Sequence, residues 1–342
     1  MVCVLLLSGI EILIMAINKE FRLLDIVKLI MAIVVIAIHT HPERSSNYVF
    51  VQKSAEIIYS LAVPFFFMAS GFLLFKKINL PLDDEGDQRI KRYLLKIVKL
   101  YLLWTIIYLP LSVLGFVNDG TSLMKSVLIF VRNVLLVGEN YMSWPLWYLL
   151  ALIVAVLIIW GLLKLRMPRR IILLLSVITA LVGVGLDYCH ENGMFQTLTD
   201  AYFSIFAKTR NGLFVGFMYV ALGMICSYGH KNALLVEIIC LILGVVGLAL
   251  NFPLANAFVV YALFSCVSRI DGKVIRRESA QFCRSLSTIV YLIHMYFVAL
   301  LVYVFDMQSG FPLFVITSVA SVATGSIMLI KRSKIVDVIF KG

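Results

Sequence analysis

Residues 23–39 read Leu23-Leu24-Asp25-Ile26-Val27-Lys28-Leu29-Ile30-Met31-Ala32-Ile33-Val34-Val35-Ile36-Ala37-Ile38-His39, and every side chain except Asp25, Lys28 and His39 is apolar. A run this long and this apolar reads as a membrane-spanning helix. On a helix the step from Lys28 to His39 is roughly 1100°, about three turns plus 20°, so the two project from one face, and Asp25 falls on the same stripe. Their separation along the axis is roughly 16 Å, about half the hydrocarbon thickness. Charged groups inside apolar spans cost several kcal/mol unless they are paired or face a watery cavity. An aligned acid, amine and imidazole therefore describes a polar track through the membrane interior.

The rest of the chain has the same character. Of 342 residues, 62% are hydrophobic and 14% charged, with a mean hydropathy of +0.99. That composition excludes an ordinary soluble domain and predicts an all-α, polytopic transmembrane helix bundle of about ten spans. The expected spans are 23–40, 56–75, 93–117, 144–165, 170–188, 211–228, 233–250, 253–269, 287–305 and 311–330. Helices are required because lipid offers the backbone no hydrogen-bond partners, and the alternation of a transmembrane barrel is missing. No connection between spans could hold a soluble catalytic domain of ~50 residues or more, so chemistry is expected inside the bundle.

Residues 1–20 read as an N-terminal extension and 336–342 as a cytoplasmic tail, leaving 21–335 as the membrane domain. The apolar stretch 1–17 contains Glu11 and lacks the basic start and cleavage site of a secretory signal. It is read as an interfacial segment or as residues ahead of a natural start at Met15. When the 30 Lys and Arg residues are assigned to alternate sides of the ten spans, 21 fall on one side and 6 on the other, with Lys28, Lys96 and Lys99 inside spans. By the positive-inside rule both termini are expected in the cytoplasm. The net charge of +11 is then a topology signal facing anionic lipid, and no nucleic-acid partner is needed. The six cysteines show no paired spacing, so neither a disulfide framework nor a metal site is indicated.

Two readings of the polar track stand. In one, Lys28 snorkels toward the inner interface and His39 rests in the outer headgroup layer. In the other, His39 is a general base near the outer face, and Lys28, balanced by Asp25 at i,i+3, stabilises negative charge on a ligand. Arg89 and Arg92, one turn apart before the third span, are either a basic flank or a grip for phosphate groups. In Val63-Pro64-Phe65-Phe66-Phe67-Met68-Ala69-Ser70-Gly71, the trio ending at Gly71 allows close approach of a helix or ligand. Trp147 lies in a run suited to an aromatic belt, and His294 places an imidazole midway along the ninth span. Arg210, at the outer mouth of the sixth span, either holds an anionic acceptor or faces water. The segment 123–132 is read as an amphipathic helix on the outer surface or dipping into the bundle.

Taken together and in order, Lys28-x10-His39, Val63 to Phe72, Arg89-x-x-Arg92, Trp147-Tyr148-Leu149 and Tyr291-Leu292-Ile293-His294 resemble the acyltransferase-3 family of bacterial integral membrane proteins. The resemblance covers nearly the whole chain after residue 20. It implies a multi-pass protein of the bacterial cytoplasmic membrane that moves an acyl group, usually acetyl, from cytoplasmic acyl-CoA to an extracytoplasmic acceptor such as a surface carbohydrate. Acyl-CoA would be a co-substrate, with no bound cofactor. Arg89 and Arg92 would bind CoA phosphates, His39 would deprotonate the acceptor, and Lys28 with Asp25 would line the donor path.

Ala37-Ile38-His39-Thr40-His41-Pro42 and Thr209-Arg210-Asn211-Gly212-Leu213-Phe214 are similar in wording to the membrane half of vancomycin-resistance-type serine/alanine racemases. That likeness implies a second class of function, a small-amino-acid transporter or accessory membrane module. In it His39, Lys28 and Arg210 would form a proton-coupled or carboxylate-binding pathway. A chain ending at Gly342 leaves no space for the soluble racemase domain of those proteins, so racemase activity is not expected of it.

Overall fold

The computed structural model describes residues 21–229, 233–270, 272–331 and 339–340. The expected extension 1–20 lies outside them, as does the expected tail except for Ile339 and Phe340. Among the described residues the chain is helical throughout, with no strand. In order the helices are α1 (Arg22–Thr40), α2 (Val49–Phe75), α3 (Asp84–Asn118), α4 (Leu123–Arg132), α5 (Leu146–Lys164) and α6 (Arg169–Glu191). They continue with α7 (Gln196–Phe206), α8 (Phe217–Ser227), α9 (Ala233–Ala249), α10 (Ala255–Arg269), α11 (Arg277–Tyr303) and α12 (Phe311–Ile330). A π-helical turn, Gly212–Gly216, leads into α8.

Helices occupy all ten segments expected to span, but only seven are long and apolar enough to cross a membrane: α1, α2, α3, α5, α6, α11 and α12. The other three apolar stretches, Gly212–Ser227, Leu234–Ala249 and Ala255–Arg269, fall short. At ~1.5 Å per residue they reach ~22–25 Å, less than the ~30 Å of a hydrocarbon core. The protein is thus a multi-pass membrane protein in which, among the described residues, seven helices have full spanning length. Many of the large side chains exposed to the surroundings are apolar, among them Leu241, Leu243 and Val246 of α9 and Leu174 and Leu181 of α6. In lipid such a surface is the satisfied one.

Helix α1 sits at the centre, packed by α2, α10, α11 and α12. Its apolar face (Leu24, Met31, Ala32, Val35, Ile36) is buried in the core, and its polar stripe faces α11 and α2. The closest backbone approach is between α2 and α8. A Cβ on Gly71 would strike the Val220 carbonyl, and one on Gly223 would strike the Met68 carbonyl. Each helix thus presents a glycine to the other's backbone, the small-residue packing that membrane helices use where apolar burial gives no preference. Helix α2 continues through Pro64 without interruption.

Two further features hold the bundle in register. Glu237 of α9, 5% exposed, accepts hydrogen bonds from Ser265 at 2.8 Å and Arg269 Nε at 3.2 Å on α10. At the other end of the chain, the Trp104 indole donates to the Ile339 carbonyl at 2.9 Å, and Phe340 packs against the same ring.

Candidate functional site

One end of the track is built around Asp25, which is 2% exposed. Its carboxylate accepts from Lys28 at 3.4 Å, the i,i+3 partner expected from sequence. Its closer partner is Arg284 of α11, whose Nε reaches both oxygens at 3.0 Å and whose terminal nitrogen reaches Oδ2 at 2.7 Å. The sequence alone assigned Arg284 to a cytoplasmic connection, because the ninth span was expected from residue 287. In fact α11 starts at Arg277 and carries Arg284 two turns into the helix. Asp25 thus serves two cations, and Lys28 keeps hydrogen-bonding capacity beyond its single longer contact.

Lys28 lines a cavity of about 180 Å³ with Ser70, Tyr148, Ser287, Thr288 and Tyr291. Ser70 Oγ lies 2.8 Å from the Tyr148 hydroxyl, which donates to the Phe66 carbonyl at 3.2 Å. Tyr291 donates to the Pro145 carbonyl at 2.9 Å. Ser70, expected chiefly to assist packing, therefore also lines a polar cavity.

Around that cavity the rings of Phe66, Tyr148 and Tyr291 pack edge to face at centroid distances of 5.5–6.2 Å. The His39 ring lies between Trp144, 5.5 Å away, and His294, 5.4 Å away, each near-parallel at 27°. His294 Nδ1 hydrogen-bonds the Val290 carbonyl at 3.2 Å, and its Nε2 is buried with no partner. Three contacts fix the backbone that carries His39. Thr40 Oγ1 donates to the Ile36 carbonyl at 2.8 Å, and the Gly310 N–H donates to the Thr40 carbonyl at 2.8 Å. Ser45 Oγ accepts from Phe311 N at 2.8 Å, which ties the loop after α1 to the start of α12.

Arg210 and Lys208 approach His39 closely enough to act on it electrostatically. The Arg210 guanidinium sits 4.6 Å from the Trp147 ring centroid and 3.9 Å from the Glu139 carboxylate, which also pairs with Lys208. Trp147 is buried beneath Arg210 instead of lying in an interfacial belt, and it lines a second, largely apolar cavity of about 160 Å³ with Tyr202, Phe206 and Leu213.

Arg89 and Arg92 lie at the surface near the start of α3. Arg89 pairs with Glu85, and Arg92 Nε donates to the Gln88 carbonyl at 3.3 Å, so each is engaged within its own helix turn. Nearby, Asp87 gathers Lys91 (2.8 Å), Lys164 (3.2 Å) and the Trp160 indole (2.8 Å). The structure therefore brings together Asp25, Lys28 and Ser70 at one end and His39, His294, Arg210 and Trp147 at the other. It leaves the arginine pair at the surface.

The profile of the acyltransferase-3 family, described as an acyltransferase domain, matches residues 21–331. The chain belongs to the acyltransferase-3 family. This acyltransferase-3 protein is also similar to curated proteins with additional sequence. Two amino-acid racemases of Enterococcus faecalis are 29% identical over 233 residues and 27% identical over 240. A serine/alanine racemase of Enterococcus gallinarum is 28% identical over 242 residues. These matches take in 66–69% of this chain but 32–33% of each relative, so the chain spans about a third of the length of the curated relatives it matches. No solved structure matches it.

Reading the sequence missed three parts of this acyltransferase-3 site. Arg284 was hidden by an assumed helix boundary. Glu139 sits in a connection whose burial no periodicity reports. Trp144 sits in the turn just ahead of α5, where helical periodicity gives no face to read.

Proposed function

We propose that this protein transfers an acyl group, acetyl being the natural size, from cytoplasmic acyl-CoA to a hydroxyl on an extracytoplasmic acceptor such as a surface carbohydrate. The observation that carries the reading is that one face of α1 holds Lys28 beside a polar cavity of about 180 Å³ toward one end and His39, stacked with Trp144 and His294, toward the other. The Lys28 cavity lies on the side where basic residues accumulate, and the His39 group lies at the opposite end. With both termini in the cytoplasm, a thioester arm enters beside Lys28, and the acceptor arrives beside His39.

In the reaction His39 takes the hydroxyl proton as the oxygen attacks the thioester carbonyl. A carbon–oxygen bond forms, the carbon–sulfur bond breaks, and the departing thiolate of CoA takes up a proton. Lys28, with Ser70 and Tyr148 lining the same cavity, marks the path along which the acyl donor reaches toward His39. Arg89 and Arg92 exchange their intrahelical partners for the phosphates of CoA, a competition that doubly charged phosphate wins over single carboxylate and carbonyl contacts. The bilayer is the working environment, and the cell membrane of a bacterium is the location consistent with the family.

The test is acetyl-CoA binding by the purified protein, comparing wild type with the Arg89→Ala/Arg92→Ala double variant. Micromolar binding that is lost in the variant supports the reading, and its absence from folded wild type removes the donor.

A second reading, passage of a small amino acid such as serine, draws on the names of the racemase relatives. In it Arg210 binds the carboxylate in place of its contact with Glu139. Serine flux in proteoliposomes discriminates the two.

A further inference from the structure

His294 is 0% exposed, yet it brings an imidazole into the interior of a membrane helix. A carbonyl oxygen can only accept, so the 3.2 Å contact with Val290 places the hydrogen on Nδ1. In the neutral ring Nε2 is then a bare lone pair, and that atom has no hydrogen-bond partner. An unmet buried acceptor is costly and usually has a reason. His39 does not satisfy it. The two rings face each other at 5.4 Å and 27°, an arrangement that stacks them without joining their nitrogens through a shared hydrogen. Val290 and Val298, one turn before and after His294 on α11, are buried and apolar, and the neighbouring Tyr291 spends its O–H on the Pro145 carbonyl.

We infer that His294 Nε2 accepts a hydrogen bond from the incoming acceptor, beside the group that His39 deprotonates. The inference rests on the acyltransferase reading and sharpens it by naming an acceptor class. Two imidazoles side by side, one taking a proton and one accepting a hydrogen bond, suit a molecule with donors on adjacent carbons. Vicinal diols and β-hydroxy amines have that arrangement, and an isolated hydroxyl lacks it. Arg132, Lys208 and Arg210 around the outer mouth are engaged by Ser204, Glu139 and Trp147, so the selective contact falls to the uncharged lone pair. The contact also explains why a histidine can be tolerated there. His294 fixes and selects the acceptor, whereas His39 performs the proton transfer.

The experiment compares wild type, His294→Phe and His294→Gln in lipid nanodiscs. Phenylalanine keeps a flat ring against His39 without the lone pair, and glutamine restores an acceptor oxygen near the position of Nε2. Acetyl-CoA binding is measured first, then acetyl transfer to L-serine, methyl α-glucopyranoside and 1-butanol. The expected result is that wild type prefers the first two probes and that His294→Phe raises their KM roughly 10-fold, the worth of one hydrogen bond. The KM for 1-butanol and the affinity for acetyl-CoA stay unchanged in that variant, and His294→Gln recovers most of the preference. An unchanged preference in His294→Phe overturns the inference, as does a parallel loss of acetyl-CoA binding. If wild type binds no acetyl-CoA, the acyltransferase reading fails by itself. The KM for L-serine counterflow in proteoliposomes then reads the same contact: a rise in His294→Phe upholds it, and no change, or no handling of serine by wild type, overturns it.

Discussion

Asp25 and Arg284, 259 residues apart in the chain, form a two-pronged ion pair that fastens α1 to α11 at one end of the polar track. Asp25 is nearly inaccessible, whereas the Arg284 side chain is half exposed. The two ends of the pair should therefore respond unequally to substitution. Asp25→Asn leaves two cations without their shared anion and is expected to destabilise the protein by ~3–5 kcal/mol, as breaking a buried pair does. Arg284→Ala leaves Asp25 with Lys28 and should cost less, ~1–2 kcal/mol after allowance for solvent screening. Thermal unfolding in detergent measures both, and equal losses would contradict the asymmetry.

His39→Ala should lower acyl transfer by ~10²–10⁴-fold, the usual worth of a general base, while membrane insertion and acetyl-CoA affinity persist. A variant that remains active would remove His39 from the base role.

Gly71 and Gly223 meet each other's helices at backbone distance. Gly71→Ala and Gly223→Ala should each destabilise by ~1–3 kcal/mol, the cost of forcing a methyl group into packed space. The double variant should cost less than the sum, since the first substitution already separates α2 from α8. Melting temperatures of the four proteins check both statements, and strict additivity would show the two contacts to be independent.

Glu43, in the turn Pro42–Ser45 just past His39, gives an acid-sensitive contact. Burial by itself raises its carboxyl, but hydrogen bonds from Tyr59 (2.6 Å) and His41 (3.1 Å) outweigh that and hold it below the ordinary value of 4.5. A carboxyl depressed in the folded state contributes stability that is fully present above the unfolded value and is lost as pH falls through the lower folded value. Wild type should therefore exceed Glu43→Gln in thermal stability at neutral pH, and the two should converge in acid below the ordinary value. Parallel curves through that range would show that Glu43 gives no such contribution.

Some of this site was legible in the sequence, and the physical reason is periodicity. Lys28 and His39 share a face because an eleven-residue step nearly closes three turns, and no tertiary information is needed to see it. His294 stood out because a polar ring amid Val290, Ile293 and Val298 is conspicuous in a span. Which residue each of these meets was not legible. The stacking of His39 on His294, and of both into one chamber with Trp144, depends on how α1, α5 and α11 pack. Arg284 was obscured for a different reason. A basic residue near a span end satisfies the positive-inside pattern whether it faces lipid headgroups or reaches a buried acid. The span count diverged where length mattered more than hydropathy, since α9 and α10 are as apolar as their neighbours but shorter than a bilayer core.

The interlocked rings of Phe66, Tyr148 and Tyr291, with both phenols tied to backbone carbonyls, also bear on ion leakage. A polar face running along a membrane helix is a hazard, because a connected row of hydrogen-bonding groups can guide ions and protons through the bilayer. Aromatic edges packed together, their hydroxyl hydrogens already spent on the main chain, interrupt such a row. The structure thus keeps an acid, an amine and an imidazole on one helix while giving charge no easy route along it.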